Sequence, residues 1–221
     1  MPETGTRTVE RALTLLAAVA EEGGTLTQLA RAAELSPSTA SRLLATLAGQ
    51  ELVRRDEFGR YGPGTRLRQL AAVALRSDPV YELAGPHLAA LARETGETAN
   101  LAVAADDQRV VYLRQAASPK LVQIASWAGR TIPRRGTALG AAMRGAVGEH
   151  GYVARAGAVE PEVTSIAAPV YDSGGEIAAA LSVLAPNYRV SPSRIETCGR
   201  AVARHAAELS RSLGATVAVA A

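Results

Sequence analysis

Residues 25–49, Thr25-Leu-Thr-Gln-Leu-Ala-Arg-Ala-Ala-Glu-Leu-Ser-Pro-Ser-Thr-Ala-Ser-Arg-Leu-Leu-Ala-Thr-Leu-Ala-Gly49, decide how the rest of the chain is read. They divide into two short helices bridged by Leu35. Thr25 caps the first, Leu26 to Ala33, with Gln28 at the third position as in a capping box. Ser36 caps the second, and Pro37 occupies its first helical position, where a missing N–H costs nothing. Ala40, Leu43, Leu44 and Leu47 then share one face at helical spacing. The opposite face carries Ser38, Thr39, Ser41, Arg42 and Thr46, with no acid before Glu51. Exposed helix faces usually mix both signs. Short hydroxyls followed by one long cation suit a helix that enters a major groove, although a solvated Ser/Thr-rich helix would share the composition.

The flanking segments favour the groove reading. Residues 7–22 form a preceding helix, with Val9, Ala12, Leu13, Leu16, Ala17 and Ala20 as its apolar stripe and Gly23-Gly24 at its end. After Gly49, Leu52-Val-Arg-Arg-Asp-Glu-Phe-Gly-Arg-Tyr-Gly reads as two strands around Asp56-Glu57-Phe58-Gly59. Three helices and a hairpin are the order of a winged helix-turn-helix. Arg54, Arg55 and Arg60 then lie in or beside the wing, within reach of backbone or minor groove. Gly64 to Arg76 is an amphipathic linking helix with Leu67, Leu70, Ala71, Ala74 and Leu75 apolar.

Asp78-Pro79 opens a further helix to Thr95, with Pro86 inside it, and from Glu97 the pattern changes to strands. Residues 99–105, 109–115 and 120–127 are three candidates, separated by Asp106-Asp107 and Ser118-Pro119. Thr137 to Arg144 is short and helical. Val163–Tyr171 and Glu176–Leu184 form a hairpin across Asp172-Ser-Gly-Gly, and Ser191-Pro192 starts a last helix to about Leu213. The fold class is α+β: a winged helix-turn-helix over 1–63, a linking helix over 64–77, and an antiparallel sheet flanked by helices over 78–221.

At 221 residues and 48% hydrophobic, the chain has enough material for two domains. No apolar run reaches transmembrane length and the N-terminus lacks a signal-peptide pattern, so a cytoplasmic protein without membrane partners is expected. The net charge of +3 is mild, with residues 1–76 carrying ten Arg against eight acids. Nucleic-acid binding must therefore come from a small patch, doubled by dimerisation. The single cysteine, Cys198, excludes a disulfide framework and fits an inert place in the last helix. His87, His150 and His205 are far apart in sequence, so no metal site and no cofactor are expected. Ser165 and Ser182 have no signature tying them to a base, and Gly-Thr-Ala-Leu-Gly lacks the Gly-Lys ending of a phosphate loop. An enzyme is not indicated.

The chain resembles the IclR family of bacterial transcriptional regulators over nearly its whole length. The resemblance is carried by Leu29–Leu47, Tyr61-Gly-Pro-Gly-Thr-Arg-Leu, Glu94-Thr-Gly-Glu-Thr-Ala-Asn-Leu-Ala-Val and Val111-Tyr-Leu. Ile132-Pro with Gly136-Thr-Ala-Leu-Gly-Ala-Ala, Ile166-Ala-Ala-Pro-Val-Tyr-Asp and Ala180-Leu-Ser-Val-Leu-Ala-Pro continue it. It implies a GAF/PAS-like second domain, a homodimer or dimer of dimers on palindromic double-stranded DNA, and a small effector, often an organic acid or aromatic. Members repress or activate. Departures from the family pattern bear on the effector, among them Val153-Ala-Arg155-Ala-Gly-Ala where an acidic cluster usually follows Gly-Tyr. Gly151-Tyr152 follows Ala141-Ala-Met-Arg-Gly almost at once, where the family has a longer helical stretch, so the pocket is expected to be more open, smaller or unused. Arg134-Arg135 stand where relatives often have Leu-His.

On this footing the DNA-reading set is Thr27, Ser38, Thr39, Ser41 and Arg42 with Arg54, Arg55 and Arg60 on the wing; Glu10 and Glu51 are competing partners for Arg42. The effector set is Val122, Ile124, Trp127, Leu139, Gly140, Ser165 and Ser182, with the start of the Thr137 helix offering amides to an anion. The apolar members of that set equally suit plain core. The alternative function is a ligand-sensing or dimerisation module whose DNA binding is secondary or lost.

Overall fold

The structure, a computed structural model, describes residues 4–216. The chain forms two compact units, Met1–Ser77 and Asp78–Ala221. In the first, helices α1 (Thr4–Glu21), α2 (Leu26–Ala32) and α3 (Pro37–Gly49) precede strands β1 (Val53–Arg55) and β2 (Tyr61–Pro63) and helix α4 (Thr65–Arg76). The caps form as the sequence requires. Thr25 and Gln28 close a capping box, and the Thr39 amide donates to Ser36 Oγ at 3.3 Å. Leu15, Val19, Leu29, Ala40, Leu43, Leu44, Leu47 and Val53 make the core of this unit. Gly24 bridges to Tyr61 in both directions, its N–H donating to the Tyr61 carbonyl at 3.0 Å and its carbonyl accepting at 2.7 Å. That pair ties the wing to the α1–α2 turn, and Gly23 (φ 61°) is required there because a Cβ would lie 2.7 Å from the Tyr61 carbonyl oxygen.

One expectation about α1 fails. Leu15 and Val19 face the core, while Val9 and Leu13 are 57% and 58% exposed and Ala17 and Ala20 also face out. The helix is so rich in Leu and Ala that two stripes about one residue apart are nearly equally apolar, and only packing against α2 and α3 selects one. The left-handed turn after α3 is likewise made by Glu51 (φ 57°) and not by a glycine.

The second unit is built on a six-stranded antiparallel sheet in the order β5-β4-β3-β8-β7-β6. Its strands are β3 (Thr98–Ala104), β4 (Arg109–Ala116), β5 (Thr131–Pro133), β6 (Val153–Ala156), β7 (Val163–Tyr171) and β8 (Ile177–Pro186). Helices α5 (Pro79–Thr95) and α7 (Pro192–Ser212) cover one face through Leu88, Leu91, Leu101, Ile166, Leu181, Val183, Val202 and Leu209. The short helix α6 (Ala138–Ala142) and the segments around it cover the other through Tyr112, Trp127, Ile132, Leu139 and Leu184.

Residues 120–127, expected as a strand, form an irregular segment instead. The outer edge of β4 is already taken. β5 pairs with Arg109–Val111, the Tyr112 amide donates to the Arg130 carbonyl, and the Gly129 amide donates to the Tyr112 carbonyl. No ladder is left for 120–127, which is pinned by side chains. Lys120 pairs with the buried Glu97, Ser118 Oγ donates to the Gly96 carbonyl at 2.8 Å, and the Trp127 amide donates to Gln115 Oε1 at 2.9 Å. Leu121 is consequently 99% exposed.

Gly140 marks a close backbone approach, since a Cβ there would overlap the Arg134 carbonyl. Both atoms belong to backbone, so relief requires α6 to move. Gly140→Ala is therefore expected to destabilise the second unit by about 2 kcal/mol or more, seen as a lower urea midpoint at unchanged m.

Candidate nucleic-acid interface and effector cavity

On α3 the predicted division of faces holds. Ala40, Leu43, Leu44 and Leu47 are buried, while Ser38, Ser41, Arg42 and Thr46 are exposed and Thr39 is half-buried. The Arg42 guanidinium pairs with neither Glu10 nor Glu51 and forms no ion pair or hydrogen bond among the described residues. Thr39 is partly committed, because its Oγ1 accepts from Ser36 Oγ at 2.9 Å. Ser38 Oγ is 3.2 Å from Ser36 Oγ, so the cap and the outward hydroxyls form one small network. Thr27 is exposed on α2.

The wing separates its arginines by role. Arg55 Nε donates to the Gly59 carbonyl at 3.4 Å, and its guanidinium lies 5.6 Å from the Tyr61 ring centroid. Arg54 and Arg60 are exposed with side chains that hold no partner among the described residues. Asp56 braces the turn by accepting from the Phe58 and Arg60 amides at 3.0 and 2.8 Å. Phe58 at the tip is 80% exposed, a feature the sequence reading passed over.

In the second unit a cavity opens on the α6 face of the sheet, with about 290 Å³ of empty space counted to its mouth. The enclosed space has room for about one water molecule, so a larger ligand requires the lining side chains to move. Tyr112, Trp127, Ile132, Leu139 and Leu184 form apolar walls, and Thr137, Arg155, Glu160 and Ser165 add polar atoms. Tyr112 and Trp127 meet edge to face at 5.4 Å, Arg130 stacks 4.5 Å over the Trp127 ring, and Arg130 pairs with Glu160 at 2.7 Å. Burial pushes the Tyr112 phenol above its ordinary range, so it stays protonated and able to donate.

The effector set meets this cavity in part. Trp127, Leu139 and Ser165 line it, and Ile124 packs on the same cluster. Val122 does not, being 59% exposed, and only its carbonyl is engaged, by Arg189 at 2.8 Å. Gly140 belongs to the packing of α6, and its own amide already donates to Thr137 Oγ1 at 3.1 Å. Ser182 is fully buried one strand pair away. Among the described residues its Oγ has no partner, nor has Ser165 Oγ, nor either amide atom of the fully buried Asn100, which sits directly opposite Ser182. Sequence reading missed Asn100. Its only signal was a polar residue inside an apolar strand run, Ala99-Asn-Leu-Ala-Val. Each unmet polar group costs about 1–3 kcal/mol, so this row on the α6 face is kept at a cost to the unliganded fold.

The fold brings His87 and His205 together although they stand 118 residues apart, with Nδ1 atoms at 3.3 Å. Cys198 is buried, and burial raises its thiol above the ordinary range, in keeping with an inert role.

The family models described as the IclR helix-turn-helix domain and the bacterial transcriptional regulator IclR C-terminal domain match residues 8–57 and residues 72–146 with 144–211. The chain belongs to the IclR family. It is a DNA-binding transcriptional regulator, and its family is one of regulators, not of enzymes. The C-terminal match comes in two pieces meeting at residues 144–146, where the sequence departs from the family pattern. The HTH-type transcriptional regulator BhcR of Paracoccus denitrificans is 30% identical over 245 residues, covering 93% of this chain and 87% of that protein. The crystal structure of an IclR transcriptional regulator from Alicyclobacillus acidocaldarius superposes with a TM-score of 0.79 at 25% identity, covering 93% of this chain and 98% of that one. An IclR homologue from Microbacterium hydrocarbonoxydans, solved in complex with 4-hydroxybenzoate, shares the fold at a TM-score of 0.71 and 22% identity, covering 93% of this chain and 99% of that one. No helix among the described residues is long and apolar enough to cross a membrane.

Removal of one orphaned hydroxyl gives a direct check on the polar row. Ser182→Ala is expected to raise the stability of the unliganded protein by about 1 kcal/mol, because an unmet donor disappears at little cost in volume. A loss of similar size would show instead that the hydroxyl is satisfied in solution.

Proposed function

We propose that residues 1–63 read a palindromic operator, that residues 64–77 link the two domains, and that residues 78–221 bind a small aromatic or organic acid that alters operator affinity. The observation carrying the first part is the α3 face itself: Ser38, Ser41 and Arg42 point outward from a helix whose other face is sealed, and the Arg42 side chain has no partner among the described residues. Thr39 and Thr27 add hydroxyls for phosphate contact, while Arg54 and Arg60 on the wing supply unpaired charge beside Arg55. Arg42→Ala is expected to weaken a specific operator complex by about 1–3 kcal/mol per half-site at fixed salt, with fold and oligomer unchanged. Arg60→Ala acts differently. It weakens all sequences alike and reduces the salt slope by about one per copy. Equal operator affinity of wild type and Arg42→Ala in a mobility shift at matched salt would remove the base-reading role.

The effector assignment is supported by the cavity's chemistry. Aromatic walls from Tyr112 and Trp127 suit a flat ring, Ser165 offers a hydroxyl, and Arg155 at the mouth offers a cation to a carboxylate. The 4-hydroxybenzoate found in the Microbacterium homologue has that combination. Because Trp127 is the sole tryptophan, its fluorescence reports occupancy without a label. Binding of a hydroxybenzoate-class acid is expected to quench or shift the emission saturably, and Arg155→Ala to weaken that response about tenfold. A flat emission across a panel of aromatic and aliphatic acids would count against the site.

Association of two copies is supported by exposed apolar surface. Val9 and Leu13 on α1 and Leu70 and Val73 on α4 are each more than half exposed, and α4 buries none of its residues. A homodimer, or a pair of dimers, is the assembly this surface supports, and the cytoplasm is where a regulator of this family would act on DNA.

A further inference from the structure

The helical layer on the sheet face opposite the cavity carries a cluster of side chains that neither DNA nor effector binding uses. His87 lies on α5, and His205 and Glu208 are three residues apart on α7. The two Nδ1 atoms are 3.3 Å apart, His87 Nδ1 is 3.8 Å from Glu208 Oε2, and His205 Nδ1 is 3.7 Å from the same oxygen. A circle through those three atoms has a radius of about 2.1 Å, so one point is equidistant from all three at the length of a zinc–imidazole or zinc–carboxylate bond.

We propose that His87, His205 and Glu208 form a site for a divalent transition metal of the zinc class, joining α5 to α7. The surrounding groups are arranged for that role. Nε2 of His205 faces Glu94 Oε2 at 3.3 Å, and Arg204 in turn holds Glu94. With Nε2–H donating to that carboxylate, the Nδ1 lone pair faces the point shared by the three ligand atoms, the carboxylate–histidine–metal relay common at such sites. The side chains of His87 and Glu208 remain 20% and 37% exposed, giving an approach from solvent and space for a water as fourth ligand. Two imidazoles and one carboxylate favour zinc, cobalt or nickel over magnesium or calcium. The site is separate from the cavity, which lies on the other face of the same sheet.

The test uses the full-length, tag-free chain, stripped with chelator and dialysed against Zn²⁺. About one zinc per chain is expected, with X-ray absorption showing two imidazole ligands and the melting temperature rising by about 5 °C at a hundredfold excess over Kd. His87→Gln and Glu208→Gln, checked for folding by circular dichroism, are expected to lose at least tenfold in affinity. Glu94→Gln, acting through His205, should lose about 10–100-fold while keeping the stoichiometry. His150→Gln, at the remaining histidine, should bind as wild type does. Failure of the stripped wild-type chain to retain zinc overturns the proposal, as does equal retention by the His87→Gln and Glu208→Gln variants.

Discussion

Strand β8 is buried on both faces from Ala179 to Pro186, and the second unit depends on that constraint. A strand with no solvent face must meet an apolar layer on each side, and here the layers differ in kind. One is two long helices packed on Leu181 and Val183; the other is a five-residue helix with loops around Ala180, Ser182 and Leu184. Long helices complete an apolar interface because their stripes are continuous. Loops cannot cover a sheet so evenly, and the cavity and the unmet atoms of Asn100, Ser165 and Ser182 all occur on that side. The polar row therefore lies on the side that loops cover unevenly, while the two long helices complete the apolar interface on the other.

The first unit solves the opposite problem. Its core is small and its exposed groups must stay available. Capping networks at Thr25 and Ser36 start α2 and α3 at defined residues, and the Gly24–Tyr61 bridge fixes the wing against the helices. Rigid supports of this kind hold the backbone of α3 and the wing in fixed positions, so the exposed face that carries Arg42 is set by the fold. The internal bonds of Arg55 have a similar effect, because a wing that holds its own shape presents Arg54 and Arg60 from a fixed base.

Most of this was legible wherever local chemistry decides structure. The caps, the two faces of α3, the wing and the hairpin of β7 with β8 depend on residues a few positions apart, and all appear where the sequence placed them. Legibility failed where a distant partner decides. The stripe of α1 was ambiguous until α2 and α3 selected Leu15 and Val19. Residues 120–127 have strand chemistry, yet 129–133 had already occupied the edge they needed. Strands β5 and β6, three and four residues long, are too short to show a period. The meeting of His87 with His205 results from α5 and α7 lying side by side, which no spacing within either helix encodes. Asn100 was hidden for another reason: a polar residue within an apolar run is noise to pattern reading and becomes informative only when its partners are found missing.

Helix α4 gives the energetic case for self-association. It is 12 residues long and buries none of them, although Leu70 and Val73 are both more than half exposed. Isolated helices of that length are marginal in water, because the cost of nucleation is spread over too few bonds. Two such apolar stripes laid together would remove both from solvent at about 25 cal/mol per Å², enough for a few buried side chains to offset the nucleation cost. The same pairing would fix the spacing of two α3 helices, and a palindromic operator can be read only when that spacing is constant. One exposed face would then serve both the stability of the helix and the geometry of DNA recognition.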